Sequence, residues 1–173
     1  MKAQTLEELF AEELKDLYDA EHQILEALPK VSAAASSREL KSALDEHRRL
    51  TQQHVGRLEQ LFQRLGRTPE RKRCKGVAGL LAEGDNVLDA DMPDEVKDAA
   101  IISAAQRIEH YEMAVYGSLR TYAQVLGDLE SARLLQATLD EEGDADRRLT
   151  HLAEFSVNLE AARHSNAGVP VGR

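Results

Sequence analysis

From Thr5 to about Ala34 the apolar residues Leu6, Leu9, Phe10, Leu14, Leu17, Ile24, Leu25 and Leu28 recur at the spacing of one helix face. Thr5 followed by Glu8 is a capping-box pattern that places the helix start. Pro29 falls near the far end, where it is expected to kink the last turn or two without abolishing the helix. A second stripe runs through Leu40, Ala43, Leu44, Leu50, Leu58, Leu61, Phe62 and Leu65; Ser36 and Glu39 form its capping box and Gly66 its stop. The Ala-Ser-Ser break between the two leaves chain length only for an antiparallel hairpin.

Residues 67–74 read as a polar connection, and Val77, Leu80, Leu81, Val87 and Leu88 predict a shorter helix despite Gly79 and Gly84. A third long helix opens at Pro93, with Asp94 and Glu95 suiting its dipole, and carries Val96, Ala99, Ala100, Ile102, Met113, Tyr116, Leu119 and Ala123 to a stop near Gly127. A fourth carries Leu134, Leu135, Leu139, Leu149, Leu152 and Phe155 to about Ala162. Two hairpins joined by a long crossover make the second and third long helices parallel. The expected class is therefore all-α, a ferritin-like four-helix bundle plus a short extra helix, with residues 1–162 as one domain. Residues 163–173, with Gly, Pro and no apolar period from Ser165 on, are expected to be a disordered tail.

The stripes are interrupted by charge: Glu21, His54, the pair Glu109 and Glu112, and the pair Glu142 and Asp146 all fall where apolar residues belong. From the first hairpin tip, near residue 36, Glu21 lies about 15 residues back and His54 about 18 on, at a rise of about 1.5 Å per residue. From the second tip, near residue 127, Glu112 lies about 15 residues back and Glu142 about 15 on. With the tips at opposite ends of the bundle, all four converge roughly 22 Å from either end. Any one of these carboxylates alone reads as a solvated surface group; their common depth points to a shared metal site, with a neutralised polar core built from Arg120 or protonated carboxylates as the alternative. The mostly oxygen donor set suits iron or manganese. His47, two turns before His54, reads as a hydrogen-bonded core histidine or an outlying partner of the site, and one of Tyr18, Tyr111, Tyr116 and Tyr122 can neighbour it.

Composition narrows the remaining classes. The formal charge is −9, from 31 acidic and 22 basic residues, and the one basic cluster, Arg67, Arg71, Lys72, Arg73 and Lys75, sits beside Pro69 as a solvated loop. Nucleic-acid binding is not expected. Cys74 is the single cysteine, the N-terminus lacks a signal-peptide apolar run, and no stretch is long enough to cross a membrane. A cytoplasmic protein without membrane attachment is expected.

The segments LYDAEHQILEALPK, QRIEHYEMAVYGSLR and LDEEGDADRRLTHLAE resemble the YciF-type bacterial stress-protein family, a branch of the ferritin-like and rubrerythrin-like superfamily, over about residues 4–162. The resemblance implies a di-iron or di-manganese carboxylate site. The superfamily places a Glu-x-x-His motif on each of two helices, and this chain has none: Thr51 stands where Glu would precede His54, and Ala145 where His would follow Glu142.

Two functions follow as expectations. In one, a two-metal centre reacts with oxygen or peroxide or handles metal, with Glu21 and Glu112 as terminal ligands, Glu142 bridging, His54 giving nitrogen, and Glu109 and Asp146 as further carboxylates. In the other, the chain is a non-enzymatic helical stress protein with a degenerate or empty site. A homodimer is expected for either.

Overall fold

Residues 3–167 are described by a computed structural model, and among them there is no strand. The helices are α1 (Leu6–Ala34), α2 (Arg38–Arg64), α3 (Lys75–Asp89), α4 (Asp94–Val125), α5 (Leu129–Leu152) and α6 (Asn158–Ala167), with a π-helical turn at Ala153–Val157 between the last two. α1 pairs with α2 and α4 with α5, while α2 lies against α5 and α1 against α4, so two hairpins form a four-helix bundle. α3, the extra helix of the crossover, packs over α1 and α4. No helix of the described residues is long and apolar enough to cross a membrane. The helical run expected to end near residue 162 continues to Ala167, and the remainder of the expected tail, residues 168–173, lies outside the described residues.

The ends of the helices follow from local chemistry. Thr5 caps α1, its Oγ1 accepting from the Glu8 amide at 3.2 Å, and the Glu8 carboxylate accepts from the Gln4 amide at 2.7 Å. Pro29 is accommodated inside α1, which runs on to Ala34. α2 and α4 both stop on a glycine in the left-handed region, Gly66 at φ 65° and Gly127 at φ 79°. The paired bonds from the Arg67 amide to the Phe62 carbonyl and from Asp128 to Ala123, both 2.9 Å, complete Schellman closures.

One cap differs from expectation. The N-cap of α2 is Ser37, whose hydroxyl accepts from the Leu40 amide, and not Ser36. The reason is Asp98 of α4, buried beside the first hairpin tip. Its carboxylate accepts from the Ser36 amide at 2.8 Å, the Ser36 hydroxyl at 2.6 Å and the Ser37 amide at 2.7 Å. Ser36 is thereby drawn away from its own helix, and the tip of one hairpin is tied to the start of the other.

The basic connection is anchored likewise. Asp19 of α1 accepts from the Cys74 amide at 2.8 Å and from Arg71 Nε at 2.9 Å, and Gln23 donates to the Cys74 carbonyl at 3.1 Å. Cys74 is fully buried, and its Sγ caps α3 by accepting from the Val77 amide.

Apolar layers close the bundle at both ends. Phe10, Leu14, Leu58, Leu61, Phe62, Leu119 and Leu135 fill the end near the second hairpin tip, and Leu28, Leu40, Leu44, Ile101 and Leu149 the end near the first. The charged stripe residues lie between them. Asp98→Ala should lower the unfolding free energy by about 2–4 kcal/mol, because it strips three partners from a buried carboxylate site; urea unfolding monitored by circular dichroism measures this.

Candidate metal centre

Each long helix contributes to one buried polar layer. α1 brings Glu21, α2 brings His47, Thr51 and His54, α4 brings Glu109, Glu112 and Tyr116, and α5 brings Glu142; every one of these is buried. Because they occupy positions on apolar stripes, the packing that buries the leucines carries the carboxylates inward with them.

The donor atoms gather into two sets, His47, Glu109, Glu112 and Glu142 in one and Glu21, His54 and Glu142 in the other, each with its atoms within 4.8 Å of one another. Glu142 belongs to both. His54 Nδ1 lies 2.9 Å from Glu142 Oε1 and 3.5 Å from Glu21 Oε1, while His47 Nε2 lies 3.5 Å from Glu109 Oε1. The Tyr116 hydroxyl donates to Glu21 Oε1.

The layer holds more acceptors than donors. Glu21 Oε2, Glu109 Oε2, both oxygens of Glu112 and Glu142 Oε2 are buried without a hydrogen-bond partner, as is His47 Nδ1, while Glu142 Oε1 meets only His54 Nδ1. Buried polar atoms normally find partners, so a cluster of orphans, mostly carboxyl oxygens, fits a bound cation. Hard carboxylate oxygens with two imidazoles are the donor types that iron and manganese accept.

Electrostatics distinguishes the acids. Burial would raise Glu142, but hydrogen bonding to His54 and Glu109 and the charges of His47 and His54 outweigh it and hold it low, at about 2. Burial likewise opposes charge on His54, yet Glu142 and Glu21 beside it push its pKa up to about 10. Glu112 is raised well above the usual carboxylate range by burial and by the carboxylates of Glu142, Glu21 and Glu109; Glu109 is raised by burial and by its contact with Glu142. Glu21 is also raised, chiefly by burial, since His54 offsets only part of that cost. Without a metal, then, one His54 cation faces several carboxyl groups, and its charge is taken up mainly by Glu142.

Asp146 stands apart from both sets. It is half-buried, accepts from Gln106 Nε2 at 2.9 Å and lies 3.4 Å from His110 Nε2. Arg120 bonds Gln136 at 2.7 Å, so it is not the cation of this layer. Thr51 turns its hydroxyl back to the His47 carbonyl at 3.0 Å and offers the site nothing.

Two partners, Glu141 and Arg57, go beyond the candidates read from sequence. His47, expected as a hydrogen-bonded core histidine or an outlying partner of the site, faces Glu109 and joins the first donor set. Its seven-residue spacing from His54 was the available signal, since two turns return a side chain to the same face. Glu141 accepts from His54 Nε2 at 2.9 Å, which fixes Nδ1 as the atom turned to the site. Arg57 grips Glu141 in turn, at 2.5 and 2.8 Å, and the contact with Arg57 keeps that carboxylate low. No stripe argument reaches Glu141 or Arg57, because both lie at the edge of the buried face.

Residues 5–162 match the model of a family described as a domain of unknown function, DUF892. Protein YciF of Escherichia coli (strain K12) is 39% identical over 162 residues, spanning 93% of this chain and 98% of that one. The crystal structure of that E. coli stress protein superposes with TM-score 0.87 at 39% identity, covering 90% of this chain and 99% of the other. A Rhodopseudomonas palustris structure named YcfI gives TM-score 0.84 at 40% identity over 86% and 95% of the two chains.

The buried acids impose a pH dependence on the metal-free protein. Between the ordinary carboxylate value of 4.5 and the raised values of Glu109 and Glu112, the native state keeps protons that the unfolded chain has lost, so stability falls as pH rises. The His54 contribution is complete below its ordinary 6.5 and is lost as pH rises through about 10, in the same direction. That of Glu142 is complete above 4.5 and is lost as pH falls through about 2. Metal-free protein should therefore be most stable near pH 5 and weaken towards pH 9, by about 1.4 kcal/mol per pH unit for each proton involved. Glu112→Gln should flatten that decline in urea titrations at several pH values; a slope equal to that of the parent would show that Glu112 does not titrate there.

Proposed function

The chain belongs to the DUF892 family of YciF-type stress proteins, and from that premise we propose that its bundle core holds two iron or manganese ions. One ion lies in each donor set, and Glu142 is shared between them. The observation that carries this reading is the pair of overlapping sets with Glu142 in common, lined by carboxyl oxygens most of which have no other partner. Glu21 and His54 would hold one ion, and His47, Glu109 and Glu112 the other.

Ions so bound would supply one-electron chemistry towards oxygen or peroxide. The protein's own residues determine what surrounds them. Tyr116 holds Glu21 through its hydroxyl, and Glu141, braced by Arg57, orients the His54 ring. The apolar layers above and below exclude water and keep the local dielectric low. Glu109 and Glu112, protonated when no metal is present, would release protons on loading, so metal binding should be favoured by higher pH.

A second reading rests on one observation: the His54 cation beside Glu142 already balances the layer when Glu109 and Glu112 are protonated. On that reading the chain is a helical stress protein that pairs with a second copy and needs no metal. Elemental analysis after aerobic purification separates the two. Two ions per chain are expected, falling to none in the Glu112→Ala, Glu142→Ala double variant. Ferrous iron or manganese at 100 times the dissociation constant should stabilise the fold by about 2.7 kcal/mol. Metal-free protein whose melting temperature does not respond to either ion would rule the metal centre out.

Glu141→Gln tests the orienting role independently. It keeps every donor of both sets but weakens the grip on His54, and metal affinity should fall by about 10- to 100-fold in competition with a chelator.

A further inference from the structure

Against the metal layer lies a pocket of about 190 Å³ whose polar inner wall includes His47 and Glu109. A second cavity, of about 60 Å³, continues under α3. The two share Ile24, Leu28, Leu44, Ala105 and Ile108, so they adjoin across these side chains as an apolar slot lined by α1, α2 and α4, with α5 at its outer end. Its inner end is closed by Leu81, Val87 and Leu88 of α3. Ala145, which stands where a Glu-x-x-His motif would place histidine, lines the slot with a small side chain, and His47 and Glu109 belong both to its lining and to the donor layer.

The charges at the mouth are uneven in a useful way. Glu46 is paired with Arg49, Asp144 with Arg147 and Glu141 with Arg57. Arg148, exposed at the same mouth, makes no ion pair or hydrogen bond among the described residues. A narrow apolar slot with a free guanidinium at its entrance is complementary to one kind of molecule.

We infer that this slot binds an unbranched aliphatic carboxylate, its carboxylate on Arg148 and its chain running past His47 and Glu109 towards α3. Ile24, Leu44 and Ile108 would pack along the methylenes, and their burial supplies the affinity. As a binding site it stands apart from the metal; as a substrate site, with a chain carbon held beside the metal layer, it rests on the two-metal reading.

The test uses metal-free protein, so that a carboxylate cannot bind through an ion. Calorimetric titration with decanoate should show one saturable site per chain, with decylamine weaker and acetate without effect. Arg148→Ala should weaken decanoate by about fivefold, as expected for a single exposed ion pair, and leave decylamine unchanged. Ala105→Leu, which puts carbons into the shared part of the slot, should weaken decanoate by more than about tenfold while circular dichroism and metal stoichiometry stay those of the parent. No saturable decanoate binding, equal binding to Ala105→Leu, or indifference to Arg148→Ala would each overturn the assignment. Metal stoichiometry is scored separately: loss of metal loading with decanoate binding intact would sink the metal centre and spare the slot, and the converse would do the reverse.

Discussion

The structure depends on burying more carboxyl groups than it supplies cations to meet. Glu21, Glu109, Glu112 and Glu142 share one layer, and only His54 there is held firmly as a cation. Removing a carboxylate from water is costly unless a proton, an ion pair or a metal compensates, and each acid finds a different compensation. Glu142 has His54, Glu21 has the Tyr116 hydroxyl, and Glu109 and Glu112 keep their protons. The apolar layers on either side must then provide stability that this layer does not.

That demand explains the care taken at the helix ends. A polar layer assembled from four helices tolerates no axial slip, since one turn of displacement would set Glu142 against leucine. The two Schellman closures end α2 and α4 at defined residues. Asp98 ties the first hairpin tip to α4, and Asp19 with Gln23 ties the crossover to α1. These anchors sit near the bundle ends and at the crossover, and together they set the register in which the donor atoms meet.

Much of this was legible beforehand because depth in a helical hairpin is a matter of counting. Glu21, His54, Glu112 and Glu142 fall level once the tips are placed, and the same count sets His47, two turns before His54, near the depth of Glu109. Rotation about the helix axis is less legible. A stripe spans a wide arc, so Asp146, one turn beyond Glu142, reads as inward from spacing but turns to Gln106. Glu141 and Arg57 at the margin were invisible for the same reason. The shift of the α2 cap from Ser36 to Ser37 came from Asp98, a residue 62 positions away, which no local pattern contains.

The departures from Glu-x-x-His acquire a physical sense together. Thr51 bonds its own helix, and α2 instead presents two imidazoles, His47 and His54, two turns apart on one face. Both nitrogen donors thus come from α2, leaving α5 to supply the shared carboxylate of Glu142 and, at Ala145, a small side chain. The result is an asymmetric layer. His54 is braced through Glu141 of α5 and Arg57 of α2, whereas His47 and Glu109, with Ala145 nearby, face the apolar slot. A histidine at 145 would complete the motif and at the same time fill the wall where the slot meets the layer. Alanine at 145 thus leaves α5 without the motif's imidazole and leaves this part of the slot's lining small.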